Sequence, residues 1–255
     1  MIDMSVVRSM VLDRTHESYA DIRQDVMALA VSDFKVGGYF VEFGALDGVK
    51  GSNTLLLERE YDWTGILSEP ARRWHRSIKE NRSVVLDQRA VAPTSGASLL
   101  FKETDAHLGL SGLVGFFNPR DMHALTRSTS PGAEYHVETV SLTDLLDQHG
   151  APDYVDYISV DTEGSECSIL ENFDFRRRIG LWTIEHNYVH DVRHSICQVM
   201  ERNGYVRVLT DISDIDDWYV HSRMVAKAMS FMELANAVGR WFRDKDRARH
   251  HGIGN

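Results

Sequence analysis

The run Tyr39-Phe-Val-Glu-Phe-Gly-Ala-Leu-Asp-Gly48 constrains this chain more than any other stretch. Strand-favouring residues lead straight into a glycine turn, and carboxylates sit at Glu42 and Asp47. A second apolar run, Gly65-Ile-Leu-Ser-Glu-Pro70, follows about twenty residues later and ends in Glu69. An open α/β sheet builds a nucleoside crevice from such a pair. Backbone at the first strand end approaches the ligand closely, and an acid at the second strand end accepts the ribose hydroxyls.

The remaining pattern extends this pair to a whole sheet. Apolar runs predict strands over 39–43, 65–69, 84–86 (reaching toward Ala92), 157–161 and 181–185. Helical spacing intervenes: Ser52 and Asn53 cap a helix through Glu60, Trp74 and Ile78 mark one after Pro70, Ser165 opens another, and one over 191–202 stops at Gly204. Tyr19, Ile22, Val26 and Leu29 predict a leading amphipathic helix over 16–32. Ser98 to Phe101 reads as a strand or edge, and Ser141-Leu-Thr-Asp144 as a capping-box-like helix start. Segments 205–209 and 218–225 predict a closing antiparallel pair. Ser230 starts a last helix with Phe231, Leu234, Val238 and Phe242 on one face. Residues 103–135 show no period and are rich in Gly and Pro, so they read as a long functional loop. Strands alternating with helices imply a mostly parallel sheet with right-handed crossovers. The expectation is a single domain over 1–255, with a leading helical segment at 1–35, a substrate-side loop insertion at 103–135, and a C-terminal helix and tail at 229–255.

Bulk properties exclude some functions. With 28 Lys plus Arg against 38 Asp plus Glu, the net charge of −10 argues against non-specific nucleic-acid binding. No apolar run is long enough to span a bilayer, and the N-terminus lacks the basic start and apolar core of a signal peptide. Cys167 and Cys197 lack metal-type spacing and read as buried thiols of a cytoplasmic protein.

Ligands of an open α/β sheet sit beyond the carboxyl ends of the strands. Asp47, Glu69, Asp161, Glu185 and His186 all fall at such ends. The Glu42–Gly48 turn has two glycines four apart rather than G-x-G-x-x-G, and Asp47 would repel a pyrophosphate. Carboxylates at Glu42 and Asp47 suit a positively charged ligand, and S-adenosylmethionine carries an ammonium and a sulfonium. Asp87 to Ala90 would flank the adenine. In Asp161-Thr-Glu-Gly-Ser-Glu166, Asp161 would face the methionine end of that cofactor, near the transferred methyl. Glu163 would orient an acceptor hydroxyl or bind a cation, and Glu166 sits in a helix first turn, where the dipole favours it. His186 is the candidate general base. Asp161, Glu163, Glu185 and His186 also form a candidate set for a divalent metal such as Mg²⁺. Two other readings stay open: a NAD-type oxidoreductase, and a non-catalytic cofactor-binding module.

Taken together, Phe40–Gly48, Ser52-Asn-Thr54, Trp63–Pro70, Ser111-Gly-Leu113, Val160–Glu166 and Glu185-His186 resemble the FkbM-type S-adenosylmethionine-dependent methyltransferases. The resemblance covers roughly residues 36–210. It implies a class I methyltransferase fold: a Rossmann-like α/β architecture whose seven-stranded, mostly parallel sheet carries helices on both faces and ends in a reversed antiparallel hairpin. It also implies O-methylation of a hydroxyl on a sugar, glycan or secondary metabolite. The candidate cofactor contacts are then Glu42, Phe43, Gly44, Ala45, Asp47, Gly48, Ser52, Asn53, Glu69, Pro70, Ala90 and Asp161, and the candidate catalytic residues are His186, Asp161 and Glu163. Leu46 and Ser68 depart from the family's usual residues. The expected partner is a small-molecule or glycan acceptor, not nucleic acid, and a homo-oligomeric state stays open.

Overall fold

The computed structural model describes residue 8, residues 18–105 and residues 107–225. Helix α1 (Gln24–Val31) precedes β1 (Tyr39–Phe43), α2 (Leu55–Tyr61), β2 (Thr64–Ser68), α3 (His75–Asn81) and β3 (Val85–Asp87). The middle of the chain holds β4 (Ala90–Val91), β5 (Ser98–Thr104), β6 (Gly112–Leu113), α4 (Ala124–Thr129), β7 (Gly132–Val140) and α5 (Leu142–Gln148). Then come β8 (Tyr154–Val160), α6 (Glu166–Glu171), β9 (Arg178–Glu185), α7 (His190–Arg202), β10 (Tyr205–Val208), β11 (Asp216–His221) and α8 (Ser222–Val225).

Seven strands form one sheet in the order β10-β11-β9-β8-β1-β2-β3. The run from β3 through β2, β1 and β8 to β9 is parallel, and β11 and β10 return antiparallel. Strands covered on both faces read as unbroken apolar runs, which is why β1, β2, β8 and β9 stand out in the sequence. Successive β1 side chains face opposite ways. Phe40 joins Met27, Leu57, Trp63 and Trp218 on one side, while Val41 and Phe43 join Ile158, Trp182 and Ile184 on the other.

A single sheet was expected, but the structure holds a second one, of four strands in the order β4-β7-β5-β6. The third strand does not run on to Ala92. It stops at Asp87, whose carboxylate accepts the N–H and the guanidinium of Arg89, and the chain then leaves for the second sheet. There β4 runs parallel to the end of β7, and β5 lies antiparallel to β7 from Ser98↔Glu138 to Thr104↔Gly132. Segment 103–135 is therefore not an aperiodic loop: it contains the end of β5, β6, short 3₁₀ turns, α4 and the start of β7.

The leading helix is shorter than expected and is not amphipathic, since all eight residues of α1 are buried. Ser141 does cap α5, its hydroxyl accepting the Asp144 N–H at 3.1 Å. The closing pair is present, but β11 ends at His221 and Ser222–Val225 is helical. Cys167 and Cys197 are free thiols but only half-buried. The helix expected over 229–255 lies outside the described residues. Among those residues, no helix is long and apolar enough to cross a membrane.

Candidate active site

The chain turns on Gly44 directly after β1. Gly44 has φ +71°, and a Cβ there would stand 2.6 Å from the Asp161 carbonyl oxygen, so glycine is what lets the ends of β1 and β8 close up. Glu69 lies just past β2 and is buried. Its Oε2 accepts the Leu46 N–H at 3.0 Å and its Oε1 the Ala71 N–H at 2.8 Å. Each oxygen keeps a second lone pair for a further donor. Burial pushes the Glu69 carboxyl up to about 7; Glu103 and Glu42 add to this, and the two N–H bonds oppose it.

A cleft of about 620 Å³, counted to its open mouth, lies between these strand ends and the second sheet. The first sheet contributes Phe43, Gly44, Ser68, Glu69 and Pro70, and the β8 end adds Asp161, Thr162, Glu163 and Ser165. The second sheet and its turns contribute Ala90, Phe101, Gly109, Ser111 and Leu113. Asp161 also lines a neighbouring cleft of about 720 Å³ with Asp21, Gln24, Asn53, Ser159 and Asp216.

Three carboxylates gather beyond β8 and β9. Asp161, Glu163 and Glu185 each place an oxygen within 4.8 Å of the others. Burial raises Asp161 to about 8, and Asp216 and Glu166 add to the effect. Burial, then Asp161, raises both Glu163 and Glu185 well above the usual carboxylate range. One cation answers this charge directly: the buried Arg127 of α4 pairs with Glu163, with Asp121 at 2.8 Å and with the Leu110 carbonyl at 3.2 Å. Glu166 stays structural, its Oε1 accepting the N–H groups of Thr162 (2.9 Å) and Gly164 (3.0 Å) to close the turn.

His186 does not join this group. Neighbours on a strand point to opposite faces, so Glu185 turns toward Asp161 while His186 turns toward β11 and α7. Its Nδ1 accepts the Tyr188 N–H at 3.1 Å, its Nε2 lies 3.8 Å from Asp217, and it lines neither cleft. Burial lowers its pKa, with Asp217 opposing. Of the four residues expected to hold a metal, three meet and His186 is left out.

Phe43, Gly44, Glu69, Pro70, Ala90 and Asp161 line the first cleft, and Asn53 lines the second. Glu42, Ala45, Asp47, Gly48 and Ser52 line neither. The Glu42 carboxylate accepts Ser52 Oγ at 3.0 Å, the Asn53 N–H at 2.6 Å and the Thr54 hydroxyl, so it holds the turn before α2. Asp47 folds back on its own backbone, accepting the Val49 and Lys50 N–H groups at 2.9 and 2.8 Å. Thr54, not Ser52 or Asn53, is the cap residue of α2; Ser52 Oγ accepts the Leu55 N–H at 3.1 Å from two residues before it. Ala45 is core, and Gly48 makes room for Arg82, whose Cγ a Cβ would meet at 2.9 Å.

A family model, the methyltransferase FkbM domain, matches residues 42–207, more than half of the chain. The chain belongs to the FkbM methyltransferase family. The matched span contains every residue that lines the first cleft, and membership implies a class I methyltransferase-like α/β fold and use of S-adenosylmethionine. A search of curated proteins found no match.

Reasoning from sequence missed several site residues. Trp74, Phe101 and Gly109 line the cleft, and Arg127 reaches Glu163 from the segment read as a loop. The alternation of Tyr135, Val137 and Thr139 inward with Glu134, His136 and Glu138 outward would have revealed β7, and with it the second sheet. Asp216, in the second cleft, carries no local sequence signal.

Proposed function

We propose that this FkbM-family protein transfers the methyl group of S-adenosylmethionine to a hydroxyl of a sugar, glycan or secondary metabolite. The observation that carries the reading is Glu69: a buried carboxylate at the β2 end, fixed by two backbone N–H groups, with one lone pair on each oxygen left for a vicinal diol. The apolar walls fit an adenosine: Phe43, Pro70, Ala90, Val91, Phe101 and Leu113 border the same cleft. When bound, S-adenosylmethionine supplies an electrophilic methyl group on a sulfonium.

The chain's own residues do the rest. Gly44 would let backbone come close, and Glu69 would hold the ribose. Asp161 lines both clefts and its carboxyl is raised to about 8; a cationic cofactor beside it would favour the carboxylate, the form that can take the acceptor's hydroxyl proton. Holding the reacting atoms in line is worth several kcal/mol, on the order of 7 when the geometry is tight. Glu163 and Arg127 would border the acceptor. The two half-buried free thiols support a cytoplasmic setting.

A second reading has its own observation. Asp161, Glu163 and Glu185 offer an all-oxygen donor set, which suits Mg²⁺ or Ca²⁺ and would lower the pKa of an acceptor hydroxyl. Calorimetric titration with S-adenosylmethionine, with and without Mg²⁺, tests both. Saturable binding lost in Glu69→Ala supports the cofactor assignment, and no binding in either condition overturns it. Heat from Mg²⁺ alone that disappears in Glu185→Gln supports the metal reading, and no Mg²⁺ heat removes it.

A further inference from the structure

A cleft on another part of the molecule gathers positive charge on a chain whose net charge is −10. His190, Arg193, His194, Cys197, Arg207 and Thr210 line about 750 Å³, counted to its open mouth. Two of these cations share one acid. Asp217 on β11 is fully buried, and it accepts Arg193 Nε at 2.9 Å, Arg193 Nη2 at 2.7 Å and Arg207 Nη1 at 3.1 Å. A guanidinium carries five N–H donors. Asp217 takes two from Arg193 and one from Arg207, so both keep donors in hand, and one negative charge stands against two positive ones. The Arg193 and Arg207 side chains are 31% and 33% exposed, and both line the cleft.

Four acids nearby on the chain each have a partner, and two of those partners line the cleft. On α7, Asp191 pairs with Arg120 and lies 3.9 Å from the lining His190, and Glu201 accepts the thiol of the lining Cys197 at 3.4 Å. Asp211 beside Thr210 pairs with Arg8, and Asp214 accepts the Tyr188 hydroxyl. Holding two forks on a buried carboxylate also sets their direction in advance, which lowers the ordering cost when an anion arrives. Planar guanidinium forks match the oxygen spacing of phosphate.

We infer that the Arg193–Arg207 cleft is an anion site that takes a phosphate group, separate from the cofactor cleft. His194, whose Nε2 lies 2.9 Å from Gln198 Nε2, and the Thr210 hydroxyl provide further polar groups at its edge. The phosphate is either free or carried on a small molecule such as a sugar phosphate.

The test is calorimetry of the full chain, without S-adenosylmethionine, against inorganic phosphate, a hexose phosphate and, as a control, chloride at matched ionic strength. Saturable binding of phosphate or hexose phosphate at one site, weakened at least tenfold in Arg207→Met, is the expected result. That variant leaves Asp217 its two-pronged partner Arg193, and its fold is checked by thermal melting. Thr210→Val, at the cleft edge, is the second variant and should weaken binding several-fold. Tighter binding of hexose phosphate than of phosphate assigns the carried form, and equal binding assigns the free ion. No saturable binding, or binding unchanged in both variants, overturns the inference.

Discussion

Arg82 offers the sharpest test of how the site is held. Its side chain is fully buried behind the Gly44–Thr54 turn. Nε donates to Glu58 at 2.5 Å, Nη1 to the Gly48 carbonyl and Ser52 Oγ at 3.1 Å each, and Nη2 to Thr54 Oγ1 at 2.9 Å, with Glu42 at 3.7 Å. Arg82→Ala would strip these partners at once. It would leave Glu42 buried with no cation near it, and removing one partner of a buried pair costs roughly 3–5 kcal/mol. Whole domains are stable by about 5–15 kcal/mol, so the loss is a large fraction of the total. Urea unfolding followed by tryptophan fluorescence reads it as a fall in midpoint. Glu42→Gln alone should also destabilise. Because that substitution removes the charge that would otherwise be stranded, the double variant should fall short of the summed losses by about 0.5–3 kcal/mol. A change within about 0.5 kcal/mol for Arg82→Ala, the range of surface substitutions, would refute the reasoning, and so would strict additivity.

Other expectations follow from the site. Ribose hydroxyls favour the ionised form of Glu69, so S-adenosylmethionine affinity should fall about tenfold per pH unit as pH drops below about 7; affinity flat from acid to neutral pH would remove Glu69 as the ribose acceptor. Hydrogen bonds from Arg89 and His149 overcome the upward push of burial and hold the Asp87 carboxyl down at about 2, against its ordinary 3.8. That difference stabilises the fold by about 2 kcal/mol above the ordinary pKa, and the contribution is lost as pH falls through the folded value. Asp87→Asn should therefore lower the unfolding midpoint at neutral pH and flatten the acid limb, and an unchanged acid limb would contradict the assignment. Gly44→Ala would place a side chain on left-handed backbone, at about 1–2 kcal/mol, and press its Cβ against Asp161. It should cost cofactor affinity as well as stability, and a variant that binds normally would show that the β1 and β8 ends need not be this close.

How legible each part was in the sequence depended on how local its cause is. β1, β2, β8 and β9 are buried parallel strands, written as unbroken apolar runs, and Glu69 and Asp161 follow them by position. The second sheet was hidden because β5 and β7 pair across the Gly- and Pro-rich segment between them, and such pairing leaves no mark within either strand. Arg82 was invisible for the same reason: its partner Glu42 lies forty residues away, in a register that only the folded sheet sets. Strand alternation puts Glu185 and His186 on opposite faces, which grouping both as metal ligands overlooks, and which face meets the carboxylates depends on where β11 packs. Glu42 and Asp47 looked like ligand groups because they were acidic and near a glycine turn. Turns, however, leave backbone N–H groups unpaired, and these two side chains satisfy them.

The second sheet runs from Ala90 to Val140 as one uninterrupted stretch of chain, entering after β3 and returning before β8. One wall of the cleft is thus a cassette, pinned to the other at Arg73–Glu103 and Arg127–Glu163. A relative that kept those two pins and the apolar core around Ala90, Phe101 and Leu113 could change the exposed residues of the stretch, and so the shape offered to an acceptor, while Gly44 and Glu69 stayed in place.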